Sequence, residues 1–336
     1  MINLPLHGFI NTDSLCPTYA SVLHFRSVPP MLFHYTNGKG VEGILTPTEV
    51  DCRPAYWNAP PKLLPCFWAT NVSSLQDTSE LKFAFDIAVD ELDYLIEVYS
   101  AEESSVNLKR VTWLNRERSN IASQYQSSNV FITSFTDKED DLSQWIEFGR
   151  HSLGFPVDIL QKVCKDNYAE LLPCIYNHDT SQTIIREVVR NLLKKYLQLP
   201  SHYPISGAYP SLWQYVAKYG SLMKHKSYTS QAEWRLVNVN IWSAAGAGHP
   251  PNEMPKISTR ESRYSDYPAN YVRLDLPPPS DPSMGRIKIM IGPGDLPNPE
   301  MLKLSSIRNL LLQQRYFAAH KIAIEHSKIP YRDPRP

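Results

Sequence analysis

The spacing of the strand-like runs constrains this chain more than any other feature. Met31–Thr36, Phe67–Thr70, Val130–Thr136, Val272–Leu276, Arg286–Ile291 and Ile322–Glu325 are short runs in which apolar, β-branched and aromatic residues predominate. Leu153–Ile159 reads as a further strand, as does the run carrying Glu233 and Trp234. Helical patterns separate these runs at irregular intervals. Val41–Leu45 and Asp140–Phe148 are short. A longer helix starts between Asn71 and Asp77, sets Leu81, Phe85, Ala88 and Leu92 on one stripe, and runs to about Val98. Glu102–Ser128 predicts a helix with exposed faces. Thr180 caps an amphipathic helix that Pro200 ends, Leu212–Met223 follows, and Asn298 with Pro299 opens a helix to about Ala318. The 28 prolines concentrate in Pro47–Pro65, Pro200–Pro210, Pro250–Pro255 and Pro268–Pro282, where they break the chain into these pieces. A doubly wound parallel sheet needs regular βαβα alternation, which is absent. The pattern predicts an α+β fold with a mixed, mainly antiparallel sheet and inserted helices. Its expected parts are an N-terminal arm (1–30), one domain (31–327) with a helical insertion at about 180–226, and a C-terminal tail (328–336).

Composition narrows the functional classes. The 336 residues carry 34 basic and 34 acidic side chains, a net charge of zero. A protein that grips a duplex by its phosphates shows a basic excess, so no extended nucleic-acid surface is expected. Lys224, His225 and Lys226 form a local basic run that reads as a solvated helix end. Five cysteines without a close pair give neither a disulfide framework nor a zinc site, and no His/Cys metal motif occurs. No run is apolar enough to cross a bilayer, and no signal peptide is evident. The expectation is a cytoplasmic protein with no metal and no membrane partner.

The chemistry-bearing residues sit on three of the strand-like runs. His34, Tyr35 and Thr36 stand on the first, Thr133 and Ser134 on the second, and Gln231 and Glu233 on the third. Alternation along an extended segment puts Gln231, Glu233 and Arg235 on one face and Trp234 and Leu236 on the other. The simplest reading of that segment is a strand-edge ion pair between Glu233 and Arg235. Asn71, Asp77 and Glu80 form a second polar set, read either as helix capping or as the rim of a cleft. Asp137 with Glu139–Asp141 reads as a solvated acidic turn and N-cap. Gly292-Pro293-Gly294 reads as a plain turn or a weak anion-binding loop.

The order His34, Thr133-Ser134, Gln231-Ala232-Glu233 resembles the ADP-ribosyltransferase superfamily. More closely, the chain resembles a mainly bacterial family, domain of unknown function 2971. That second resemblance is carried by Phe33-His34-Tyr35-Thr36 with Gly43-Ile44-Leu45, by Trp68-Ala69-Thr70-Asn71 with Asp77-Thr78-Ser79-Glu80, by Trp145–Gly149, by Glu233–Leu236 and by Ile289–Pro293. It covers about residues 31–295. The second strand lacks a full Ser-Thr-Ser, and Gln231 opens the Glu motif.

The resemblance implies an ADP-ribosyltransferase-like fold and an NAD-using transferase or glycohydrolase, with a toxin or defence role. NAD would be its substrate and a protein or nucleic acid its acceptor. Glu233 would steady the positive charge that builds on the ribose as the nicotinamide bond breaks. His34 would donate to the ribose or the amide, Tyr35 or Trp145 would stack on the nicotinamide, and Ser134 would support Glu233. Gln231 would face the acceptor, with Thr36 and Asn71 lining the cleft. Two rival readings are a non-catalytic nucleotide or dinucleotide sensor and an interaction domain whose polar residues only knit the core. Convergence of His34, Ser134 and Glu233 on one cleft separates the enzyme from its rivals.

Overall fold

Pro17–Phe25 forms the first helix, α1, and Met31–Thr36 the first strand, β1. The computed structural model describes residues 15–46, 48–49, 63–74, 79–124, 129–198, 211–239, 257–260, 269–276, 287–293 and 323–330. After β1 come α2 (Gly38–Leu45), the two-residue strands β2 (Thr48–Glu49) and β3 (Leu63–Leu64), and β4 (Cys66–Asn71). Helices α3 (Ser79–Ser100) and α4 (Ser105–Gln124) lead to β5 (Val130–Thr136), α5 (Leu142–Phe148) and β6 (His151–Pro156). Next are α6 (Val157–Asp166), β7 (Ala169–Pro173), α7 (His178–Leu197), α8 (Leu212–Gly220) and β8 (Glu233–Val239). The last described strands are β9 (Ile257–Arg260), β10 (Ala269–Asp275), β11 (Lys288–Ile291) and β12 (Ala323–His326).

Ten strands share one sheet, in the order β12-β11-β6-β1-β5-β4-β10-β9, with β8 on β5 and β7 on β8. Every described pair in it is antiparallel except β11 with β12. The fold is therefore mixed α+β with a mainly antiparallel open sheet. The sheet forks at β5. One edge of β5 pairs with β8 from Val130↔Val239 to Thr136↔Glu233. The other edge is shared: β4 meets it at Asn71↔Phe131 and Thr70↔Ile132, and β1 at Phe33↔Thr136. No ladder pair joins residues 133–135 to either strand.

Side chains alternate across this sheet and build a core on each face. Phe67, Phe131, Phe135, Phe155, Trp234, Leu236 and Leu274 pack on one face with apolar residues of α2 and α6. On the other face Val130, Ile132, Val237 and Val239 lie under α1, α3, α4, α7 and α8. A small third cluster on that second face joins Phe33 and Tyr35 of β1 to Trp145 of α5 and Met290 of β11. The stripe expected on α7 is real: Ile184, Ile185, Val188 and Val189 are wholly buried. Each such side chain contributes about 1.5–3 kcal/mol.

Local capping moves several expected boundaries. Leu153–Ile159 is not one strand, because Pro156 sits at the α6 N-cap and Val157, Ile159, Leu160 and Val163 fall at helical spacing. The helix cap at Thr180 is instead Asn177, whose side chain accepts from the Thr180 N–H at 2.8 Å. Asn71 caps a one-turn 3₁₀ segment, Val72–Ser74, and α3 starts later, at Ser79. The expected arm at 1–30 contains α1, whose Tyr19 is wholly buried and donates to the Pro173 carbonyl at 3.1 Å. Asp77, Gly294 and the expected helix from Asn298 lie outside the described residues, as do most of the proline-rich stretches.

Gly149 ends α5 and turns the chain back beneath β1. Its φ is +129°, and a Cβ there would stand 2.7 Å from the Thr36 carbonyl oxygen. Gly149→Ala is therefore expected to lower stability by about 2 kcal/mol. Urea unfolding checks this, and an unchanged midpoint contradicts it.

Candidate functional site

Ala232 sets the geometry of the Glu233 region. Its backbone is left-handed, φ 46° and ψ 44°, which closes the 3₁₀ turn Lys226–Gln231 and lets β8 begin one residue later. Gln231 therefore belongs to the turn, and the expected three-residue strand face shrinks to Glu233 and Arg235. The Gln231 side chain still reaches the same cluster. Lys224 Nζ donates to Gln231 Oε1 at 2.7 Å and to Glu233 Oε2 at 2.6 Å. Arg235 Nε donates to Glu233 Oε1 at 2.7 Å, and the same guanidinium donates to the Ser221 carbonyl. Gln231 Nε2 donates to Glu147 of α5 at 3.0 Å. The Gln231 carbonyl accepts from Thr136 at 2.6 Å, and the Glu233 N–H donates to the Tyr176 hydroxyl at 2.7 Å.

The expected ion pair between Glu233 and Arg235 exists, but not at a strand edge. β8 is flanked by β5 and β7, and Glu233 is only 7% exposed. Burial alone would push the Glu233 carboxyl up. The adjacent Arg235 and Lys224 more than offset it and hold the group at about 2. Glu233 is thus ionised, with both carboxylate oxygens engaged.

Sequence reasoning missed Lys224, Glu147 and Tyr176. Lys224 is not a solvated helix end. Its N–H donates to the Ile175 carbonyl at 2.8 Å, next to the Ile175↔Met223 bridge, and this delivers the ammonium to β8. That pairing is long-range, so no local pattern signals it.

The remaining expected site residues divide between the two faces of the sheet. Ser134 lies opposite Arg235 on the Glu233 face. Tyr35 is on that face too. Its hydroxyl sits within hydrogen-bond reach of the Lys138 and Glu139 carbonyls (3.0 and 2.7 Å) and accepts from the Asp141 N–H at 3.2 Å. Its ring meets Trp145 edge-on at 4.5 Å. Trp145 donates to Asp140 at 2.7 Å and presses on Gly292, where a Cβ would come within 2.7 Å of the indole. Both rings are core, and the glycine of the expected anion loop is the seat of Trp145. The turn at 137–141 supplies the expected N-cap, Asp141 on α5, and keeps Asp137 exposed, but it is also an anchor: Asp140 accepts from Ser327 at 2.7 Å and from the Lys328 N–H at 2.9 Å.

His34 points the other way. Its ring lies 5.6 Å from Phe135 and 6.4 Å from Phe67, among the residues of the opposite core. Nδ1 is 2.8 Å from the Ser134 carbonyl oxygen, so Nδ1 carries the proton and donates. The bond falls where the fork leaves β5 without a ladder partner. Thr36 shares the His34 side of β1 by alternation, and Asn71, paired with Phe131, faces the same core. Asn71 accepts from the Ser73 N–H and hydroxyl at 2.9 and 2.6 Å, which is the capping reading of that residue. The structure thus brings Glu233, Gln231, Ser134, Tyr35 and Trp145 to one face and His34, Thr36 and Asn71 to the other. The convergence of His34, Ser134 and Glu233 does not occur, because on the two strands that flank β5 the His34 and Glu233 side chains fall in opposite alternation classes.

Among the described residues no His, Cys, Asp or Glu group could hold a metal, and no helix is long and apolar enough to cross a membrane. No family model matches the chain, and no curated protein or solved structure is significantly similar to it. The resemblance to domain of unknown function 2971 and to ADP-ribosyltransferases therefore rests on the motif residues alone.

Removing Glu233 strands two buried cations. Glu233→Ala is expected to cost about 3–5 kcal/mol in urea unfolding. The native carboxyl is depressed, so its stabilisation is present above the ordinary carboxylate range and lost as pH falls toward 2. At neutral pH it is worth roughly 3 kcal/mol. The stability gap between wild type and the variant should narrow between about pH 5 and pH 2, and a pH-independent gap contradicts the assignment.

Proposed function

We propose that this chain is a non-catalytic binding module for a nucleotide or dinucleotide such as NAD. The observation that carries the reading is the state of Glu233. A carboxylate that steadies an oxocarbenium-like ribose must face the ligand. This one is buried, and its oxygens are taken up by Arg235 and Lys224. The adjacency of β1, β5 and β8, which bear His34, Ser134 and Glu233, supports a nucleotide as ligand by resemblance. The ligand, its biological partner and any toxin or defence role are part of the proposal.

A second reading, NAD cleavage or ADP-ribosyl transfer, is favoured by one observation. Ser134, Gln231 and Glu233 do share a face, and Glu233 remains ionised there. Incubation with NAD, following released nicotinamide, together with calorimetry on the same sample, separates the two. Binding without release is expected. Release that Glu233→Gln abolishes in a folded variant establishes the enzyme. Absence of any nucleotide binding leaves the interaction-domain reading.

A further inference from the structure

We infer that the outer face of α3 and α7 is the contact surface of a symmetric dimer, its partner being a second copy of this chain. No residue of this surface belongs to the Glu233 cluster.

α3 and α7 lie side by side and run in the same direction. Near their N-terminal ends the Phe83 ring meets His178 at 4.6 Å. Further along, Glu91 of α3 lies 3.7 Å from Arg186 and 2.6 Å from Arg190 of α7. The inner stripes of both helices belong to the core. The outer stripes carry opposite signs. α3 exposes Asp90, Tyr94, Glu97 and Val98, and α7 exposes Arg186, Arg190 and Lys194, one turn apart.

Both stripes are ready for a partner. Glu91 holds the two arginines through Nε and is itself buried, while their side chains are 50% and 51% exposed. One carboxylate between two guanidiniums leaves a positive excess, and anchored side chains lose little entropy on contact. On α3, Asp86 pairs with Lys82 and Asp93 with Arg118, whereas Asp90 and Glu97 form no ion pair among the described residues. Solvation of two helix faces accounts for the charges. It does not account for Tyr94 and Val98, which are 54% and 44% exposed. At about 100° per residue these two fall between the Asp90–Glu97 stripe and Glu91, and so lie next to α7.

The stripes also match in register. Asp90 is seven residues past Phe83 and Arg186 eight past His178, while Glu97 is fourteen and Lys194 sixteen past the same two residues. At about 1.5 Å per residue, each acid is level with its base to within about 3 Å. A two-fold axis between α3 and α7, parallel to both, then lays α3 of each copy on α7 of the other. Asp90 meets Arg186 of the partner subunit, Glu97 meets Lys194 of the partner subunit, and Tyr94 and Val98 gather at the axis. An axis across the helices would instead set α3 on α3, with like charges opposed. Charge thus selects a second copy in one orientation. The helices, 22 and 20 residues long, span about 30 Å. Set about 10 Å apart, they offer roughly 600 Å² per copy, near the lower edge of specific interfaces. The dimer is therefore weak and salt-dependent.

Sedimentation equilibrium of the full chain tests this. A dimer is expected at about 100 μM protein in low salt, with dissociation about tenfold stronger at 0.5 M salt. Glu97→Lys alone and Lys194→Glu alone should each give monomers of unchanged melting temperature, because each puts like charges opposite twice. Mixing these two variants should restore the dimer, since every contact in the mixed pair is again between opposite charges. Tyr94→Ala should weaken it without altering the salt response. A wild-type chain that stays monomeric in low salt overturns the surface. A dimer indifferent to both charge reversals overturns it as well, and so does a mixture that remains monomeric.

Discussion

The carboxylate of Glu233, held between the ammonium of Lys224 and the guanidinium of Arg235, ties together the parts of this molecule that the chain keeps far apart. Lys224 comes from the segment after α8, Arg235 reaches back to the end of α8 at Ser221, and Gln231 extends the contact to Glu147 on α5. One charge group therefore joins the helical layer, the sheet and the small aromatic cluster under α5. A buried ion pair need not be worth more than a well-packed apolar substitute. Its value here is positional, since two cations in fixed directions, with Gln231 bridging Lys224 to Glu147, set how the elements around β8 meet.

Much of the fold was legible because it is written in local patterns. The β5 run Val130–Thr136 and the stripe on α7 are set by residues close in sequence, and both fall where periodicity puts them. The boundaries that moved depend on side chains with two competing roles. Pro156 can end a strand or open a helix, and Asn177 captures the Thr180 N–H before Thr180 itself can cap. β7 was not legible, being five residues whose extended state is imposed by β8 alongside.

The candidate site was legible in its residue types and only partly in its geometry. Alternation correctly put Glu233 and Arg235 together, but Ala232 took a left-handed conformation that removes Gln231 from the strand. His34 and Glu233 carry the right chemistry on strands that both flank β5. A difference of one residue in alternation then sends their side chains to opposite faces. Lys224 could not be read at all, because its place depends on a bridge to Ile175 formed only in the folded chain.

The forked β5 bears on how the chain comes together in time. Its partners are remote in sequence: β1 lies roughly a hundred residues before it and β8 roughly a hundred after. β4 in turn waits for β10, about two hundred residues further on. Closing loops of that size costs entropy before the contacts repay it, so a sheet assembled this way forms slowly. The helical layer, whose α3–α4 hairpin is local, can form early and present Val130 and Ile132 of β5 with an apolar surface to rest on. The fork then becomes a late seam of assembly, closed on one side by β1 and on the other by β4 once β10 has paired with it.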